Sequence, residues 1–181
     1  MKTTERVLWV LVGAAFVLKV LHLPMADVLL ILGLSLLSMF YLFSGAFIFS
    51  SAPRTDQVLP LSILSGVALS IGCNAVLFKL QYWPMAQLFG LMAVLGFVVA
   101  VAWGAMASRE RPDRTRYRQR LFSRLLPMGI FTWILVLIPM KTRMSLQYQG
   151  KELDLRYDCY TRAYPGACDS LYRFTGEFVE R

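Results

Sequence analysis

Charged side chains are scarce in this chain, and most of its residues are apolar. Asp, Glu, Lys and Arg make up 17% of the 181 residues, whereas hydrophobic residues make up 57%. The mean hydropathy is +0.54. Soluble domains average about 25% charged and about 45 to 50% apolar residues, so this composition excludes a soluble globular domain and a disordered chain. The chain is therefore predicted to be an integral membrane protein.

Side chains that carry catalysis or bind metals are also few. His22 is the only histidine, and no Cys, Asp or Glu stands beside it at metal-ligand spacing. Asp27 is the one acidic group near it in the sequence, so a nucleophile with its base is not indicated. We predict that the protein is not an enzyme and uses neither a cofactor nor a metal. For His22, a hydrogen bond to Tyr82 is favoured over a proton relay.

Five apolar segments approach the roughly 20 residues that a helix needs to cross a bilayer. They comprise residues 7–23, 28–50, 58–80, 85–107 and 121–140. A signal peptide can mimic the first segment, but no small-residue cleavage site follows it and Lys19 lies inside it. The predicted fold class is an all-α integral membrane protein. A five-helix transmembrane bundle occupies residues 1–141, and a short extracytoplasmic tail occupies residues 142–181.

Basic residues flank these segments asymmetrically, and positively charged loops are retained in the cytoplasm. One face carries Lys2, Arg6, Arg54 and the seven arginines from Arg109 to Arg124. The opposite face has few lysines and arginines near the helix ends. The asymmetry predicts a multi-pass protein of the bacterial inner (plasma) membrane, with a cytoplasmic amino terminus and a carboxyl terminus outside.

The run from Arg109 to Arg124 is also a candidate binding surface. Such a run can bind anionic lipid or an acidic partner, and similar runs bind nucleic acid. We favour its role as a topology signal alone and expect no nucleic-acid partner. The expected partners are the lipid bilayer and an unidentified membrane protein.

The tail contains two cysteines nine positions apart, Cys159 and Cys168. Outside the cytoplasm they meet oxidising conditions and can form a disulfide, which we favour over two free thiols in a cytoplasmic tail. Polar and apolar residues alternate through residues 145–149 and again through 153–157. This alternation predicts a short hairpin.

An internal repeat appears when the chain is aligned with itself at an offset of sixty. Lys19 and Pro24 then coincide with Lys79 and Pro84, and His22 and Leu23 coincide with Tyr82 and Trp83. Proline closes one helix and opens the next, and a lysine one turn earlier can reach the headgroups. The repeated unit is a transmembrane helical hairpin, at about 7–50 and 67–108.

The two turns resemble the F-K-x-x-H-W-P-G-A turn of GldL-type proteins of gliding motility and type IX secretion. The matching residues are Lys19, His22, Pro24 and Ala26, then Phe78, Lys79, Trp83, Pro84 and Ala86. The resemblance covers residues 5–50 and 65–107 and implies a duplicated inner-membrane hairpin.

The same resemblance implies a proton-driven motor. The chain departs from the family, however, at the position of the residue through which protons are thought to pass. The family carries an intramembrane Glu about thirteen residues after the Pro, whereas this chain has Leu37 and Phe97 there. Leu23 and Tyr82 also replace the Trp and the His, and Met25 and Met85 replace the Gly. We therefore expect shared hairpin architecture without the family's proton route.

The third segment carries a row of small and polar residues at intervals of four. The row consists of Ser62, Gly66, Ser70 and Asn74. Such rows let helices approach closely and form hydrogen bonds across the contact. We predict a helix-packing row whose partner is Ala100, Gly104 and Ser108 on the fourth segment, and we favour this over a substrate path.

The favoured function is a non-enzymatic scaffold or accessory subunit of an envelope assembly. No Asp or Glu lies deep inside any segment, which disfavours an ion-coupled carrier. The alternative is a small transporter or channel component, with a path lined by Ser62, Ser70, Asn74 and the outer Lys19 and Lys79. A parallel repeat differs from the inverted repeats of many transporters and favours the scaffold.

The orientation can be tested with a reporter that is active only outside the cytoplasm. Fusion after Arg181 should give an active reporter, and insertion near Tyr117 should give a silent one, because the basic residues hold that loop inside. Activity near Tyr117 would overturn the orientation. A silent carboxyl-terminal fusion would show that the fifth segment does not cross.

Overall fold

A computed structural model describes residues 2–21, 23, 25–48, 58–83, 85–110, 115–145, 148, 150–162 and 166–176. Within these ranges every regular element is a helix and no strand is present, which confirms the all-α prediction. The chain divides into two compact units, Met1–Leu137 and Ile138–Arg181. The boundary predicted from the sequence follows residue 141.

The first unit consists of five long helices. They are α1 (Lys2–Val20), α2 (Ala26–Ile48), α3 (Leu59–Leu80), α4 (Ala86–Glu110) and α5 (Thr115–Leu137). Helices satisfy every backbone polar group internally, which a bilayer requires of any crossing segment. Pro60 lies in the first turn of α3, where its missing N–H removes no hydrogen bond. Pro127 lies inside α5.

Helix α3 lies at the centre of this unit and packs against α2, α4 and α5, while α1 packs against α2. About two thirds of the residues of α3 are buried inside the bundle, whereas most residues of α4 and α5 are not. Many apolar side chains of α4 and α5 are therefore exposed. Leu95, Val98 and Trp133 are among the exposed ones. Apolar exposure on this scale is typical of a surface that contacts lipid or another protein.

Four of the described helices are long and apolar enough to cross a membrane. The qualifying stretches are Ala26–Gly45, Leu59–Leu80, Ala86–Ala107 and Gln119–Leu137. They correspond to the second to fifth predicted segments, and the last qualifies despite Arg124 and Pro127. Helix α1 is not among the four, because Lys2, Glu5, Arg6 and Lys19 place charges at both of its ends.

The second unit contains three short helices: α6 (Met140–Met144), α7 (Gly150–Thr161) and α8 (Ala167–Thr175). The predicted hairpin is therefore wrong for residues 153–157, which lie in α7; residues 146, 147 and 149 fall outside the described residues. Alternation over so short a segment does not distinguish a strand from a helix. The Arg156 Nε lies 2.9 Å from the Glu152 carboxylate, and a pair at this spacing supports a helix.

Helices α2 and α3 cross at two glycines with almost no space between their backbones. A Cβ built on Gly66 would lie 2.6 Å from the Cα of Gly45 and 2.8 Å from the carbonyl oxygen of Tyr41. Both neighbours are backbone atoms, so no side-chain rotation can relieve the clash. This crossing requires glycine.

Gly66→Ala should separate α2 from α3 and lower the free energy of unfolding by about 1–3 kcal/mol, the usual cost of overpacking. Thermal unfolding in detergent measures the change. Gly13→Ala is the matched control, since a Cβ at Gly13 meets no atom within 4 Å. Equal stability of the two variants would contradict the tight crossing.

Candidate functional site

A cluster of four polar side chains joins α1, α2 and α5 at the end of the bundle where α1 begins. The guanidinium of Arg124 donates from Nε to Oε1 of Glu5 at 2.6 Å and from Nη2 to Oε2 at 2.5 Å. Tyr41 donates its hydroxyl to the same Oε1 at 3.0 Å, and Trp9 donates Nε1–H to the Tyr41 hydroxyl at 2.9 Å. We call these residues the Glu5 cluster.

The Glu5 cluster is shielded from the surroundings. The side chains of Glu5 and Arg124 are 10% and 17% exposed, and Tyr41 is fully buried. Removing one member of a buried pair leaves the other charge uncompensated and costs about 3–5 kcal/mol. Arg124 was interpreted from the sequence only as part of the topology signal, and Glu5 was missed. The signal that could have found them is that Glu5 is the one acidic residue of α1 and Arg124 interrupts the fifth apolar run.

The predicted row on α3 forms hydrogen bonds, but its polar partners lie on α2 and α5 rather than on α4. The hydroxyls of Ser38 and Ser70 lie 2.8 Å apart, and Asn74 donates Nδ2–H to Ser38 at 2.8 Å. Ser62 and Tyr117 lie 2.8 Å apart, hydroxyl to hydroxyl. Gly66 forms the close crossing described above. Spacing along α3 identified the row but could not identify the neighbour.

Helix α4 uses its small residues differently from the prediction. A Cβ on Gly96 would meet the side chain of Ala68 at 3.3 Å, so α4 packs against α3 through apolar contact. A Cβ on Gly104 would meet Leu121 at 3.0 Å, which places Gly104 against α5. The side chain of Ser108 lies outside the described residues.

At the end of the bundle opposite the Glu5 cluster, Lys19 and Lys79 bind groups within the bundle. We call them the turn lysines, because each precedes one of the two hairpin turns. Lys19 binds the Asp27 carboxylate at 2.5 Å and the carbonyl oxygen of Leu80 at 3.1 Å. Lys79 is 4% exposed and donates to Gln87 at 2.5 Å. Both lysines therefore bridge to the residue eight positions ahead, on the next helix. The sequence left open whether these lysines extend to the headgroups or face the bundle; in this structure both bind groups of the protein.

Matched hydrogen bonds shape the backbone of the two turns. Leu23 N–H donates to Leu18 O and Trp83 N–H donates to Phe78 O, each at 3.0 Å. Met25 and Met85 have φ values of 70° and 63°, the left-handed region where the resembled turn has Gly. Tyr82 also has a positive φ, of 56°. His22, Pro24 and Pro84 lie outside the described residues.

In the second unit a disulfide joins Cys159 of α7 to Cys168 of α8. Lys141 and Asp154 form an ion pair at 2.8 Å. The hydrogen bond and negative charge of Asp154 raise the pKa of the Lys141 ammonium group. These contacts hold the three short helices together.

The structure describes only some side chains of the arginine run. The side chains of Arg120 and Arg124 are described, whereas Arg54 and the side chains from Arg109 to Arg118 are not. The Nη1 atom of Arg120 is buried and has no hydrogen-bond partner in the described part of the chain. No group of three or more His, Cys, Asp or Glu side chains that could hold a metal occurs among the described residues.

Arg124→Gln should lower the free energy of unfolding by about 3 kcal/mol or more, because Glu5 stays buried without its counter-charge. The double variant Glu5→Gln with Arg124→Gln should recover much of that loss, as measured by thermal unfolding in detergent. Arg6→Gln, at an exposed position on α1, is the control and should change little. Strictly additive single effects would refute a coupled pair.

Comparisons with known proteins found no relative that indicates a function. No family model matches the chain, and neither a curated protein nor a solved structure matches it. The likeness of the turns to those of GldL-type proteins is therefore a proposal based on residues alone.

Proposed function

We propose that this chain is a non-enzymatic scaffold or accessory subunit of an envelope assembly in the bacterial inner membrane. The observation that carries the proposal is the use of polar side chains inside the bundle. In the Glu5 cluster and along the α3 row, the side chains bond to one another across helix contacts. These hydrogen bonds hold neighbouring helices together, which is the role of a structural subunit.

The proposal includes a fifth crossing by α1, with the amino terminus inside and the carboxyl terminus outside. Two contacts support it, because they compensate two of the four charges that weaken α1 as a membrane helix. Glu5 is paired with Arg124, and Lys19 is paired with Asp27. From Val7 to Leu18 the helix has no charged residue. A helix whose terminal charges are paired can lie beside α2 through the hydrocarbon region.

We further propose that the two hairpins are a duplication related to the GldL type. Support comes from the equivalent lysine bridges and turn hydrogen bonds at an offset of sixty. The positions of the family's glutamate carry Leu37 and Phe97, which are both buried in the apolar core. A carboxylate at either place would lie among hydrocarbon side chains, so the related architecture is proposed without motor activity.

An assembly subunit needs surfaces for its partners, and two features suit that role. The exposed faces of α4 and α5 are apolar and suit membrane-embedded contacts. The second unit is cross-linked by its disulfide and presents Tyr160, Tyr172 and Phe174 at its surface. Exposed aromatic residues are common in protein interfaces. Outside the membrane, such a surface suits binding to a second envelope protein.

Purified protein in liposomes should show no proton conductance, because the positions of the family's glutamate carry the buried apolar residues Leu37 and Phe97. Capture of the tagged chain from native membranes should recover a partner protein in stoichiometric amount. Leu37→Glu, which restores the family's glutamate, is the comparison variant. It should lower the free energy of unfolding by a few kcal/mol, the cost of a charge near mid-membrane, and it should not create a proton leak.

Proton leak through the unmodified protein that is lost in Lys79→Ala would overturn the scaffold and favour the transporter. Capture of no stoichiometric partner would also count against the scaffold.

A further inference from the structure

An apolar groove of about 320 Å³ lies between α1, α2, α3 and α5. Its floor is formed by Leu30, Leu34 and Val76, and its walls include Trp9 of α1 and Phe131 of α5. Beyond the indole nitrogen of Trp9, which is bonded to Tyr41, the lining is hydrocarbon and thioether. A polar ligand would lose its hydration there without gaining hydrogen bonds.

The groove opens at the side of the bundle, between α1 and α5. The floor residues are at most 3% exposed, whereas Trp9 and Phe131 are 40% and 38% exposed. Helices α1 and α5 meet through the Glu5–Arg124 pair, and the rings of Phe16 and Phe131 lie 6.5 Å apart. In a bilayer, this opening faces lipid chains. An empty groove would forfeit dispersion contacts along its lining.

Positive charge lies beyond one end of the groove, on the face of α5 that forms its wall. Arg120, Arg124 and Met128 follow one another at intervals of four and so share a face of the helix. Met128 lines the groove, Arg124 binds Glu5, and the Nη1 atom of Arg120 is buried without a partner in the described residues. The Arg120 residue as a whole is only half-buried, so its guanidinium can also be approached from outside the bundle, and it suits a phosphate oxygen.

The length of this face matches one leaflet. Arg120 and Phe131 are eleven positions apart, or about 16 Å along a helix that rises 1.5 Å per residue. Half of the hydrocarbon core is about 15 Å. A lipid whose phosphate lies at Arg120 can therefore extend an acyl chain through the groove.

We propose that the groove binds one acyl chain of an anionic phospholipid of the inner leaflet, with the lipid phosphate at Arg120. This is a defined site between helices and differs from general attraction of the arginine run to a charged surface. It rests on the proposed crossing and orientation of α1 but does not depend on the proposed assembly partner.

Native mass spectrometry of protein taken from bilayers of phosphatidylglycerol and phosphatidylethanolamine tests the site. The unmodified chain should retain one phosphatidylglycerol, preferred by about tenfold or more, as expected for a charge-assisted hydrogen bond. Gly13→Leu should abolish retention, because Gly13 lines the groove and a Cβ there meets no atom within 4 Å. Arg120→Gln should keep a bound lipid but lose the headgroup preference.

Two matched variants control for size and charge. Val10→Leu adds bulk to α1 at an exposed position outside the lining, and Arg6→Gln removes an exposed charge from the same helix. Both should retain phosphatidylglycerol as the unmodified chain does. Equal retention by Gly13→Leu, or an unchanged headgroup preference in Arg120→Gln, would overturn the proposal.

A second measurement does not depend on the folding of Gly13→Leu. In a chain whose only tryptophan is Trp9, brominated acyl chains of phosphatidylglycerol should quench the indole more strongly than those of phosphatidylethanolamine. Equal quenching by the two lipids would show that the groove has no anionic occupant and would refute the site.

Discussion

The ion pair between Arg124 and Glu5 fixes α1, which packs along α2, against α5 as well. Helices α2 to α5 contain stretches apolar enough to cross a bilayer unaided, whereas α1 has charges at both ends. Pairing Glu5 with Arg124 compensates one of them and ties the first helix to the last helix of the bundle. Tyr41 then connects the pair to α2, so the position of α1 is set by contacts with two other helices.

The same physical rule organises the rest of the interior. A polar group in hydrocarbon must find its partner within the protein, because water is absent. Ser38, Ser70 and Asn74 satisfy one another between α2 and α3, and the turn lysines bind side chains of the following helix. The arrangement of the helices must therefore bring each interior polar group next to its partner on a neighbouring helix.

The parts of this structure that the sequence predicts are those that depend on local pattern. Long apolar runs predicted the all-helical fold and four of the helices able to cross a membrane. The interval of four identified the α3 row, but its partner depends on how α2 and α3 cross at Gly45 and Gly66, which is a tertiary property. The predicted hairpin failed because α7 gains an i, i+4 pair between Glu152 and Arg156 that a count of alternation ignores.

The Glu5 cluster also orders events during synthesis. Glu5 is separated from Tyr41 by 36 residues and from Arg124 by 119, so its tyrosine partner emerges from the ribosome long before its arginine partner. At about 5–20 residues per second the interval is on the order of ten seconds. During that time the Tyr41 hydroxyl is the cluster's available donor to the Glu5 carboxylate. The Glu5–Tyr41 contact of the α1–α2 hairpin therefore needs no residue of α5, whereas the full cluster cannot form until α5 has been synthesised.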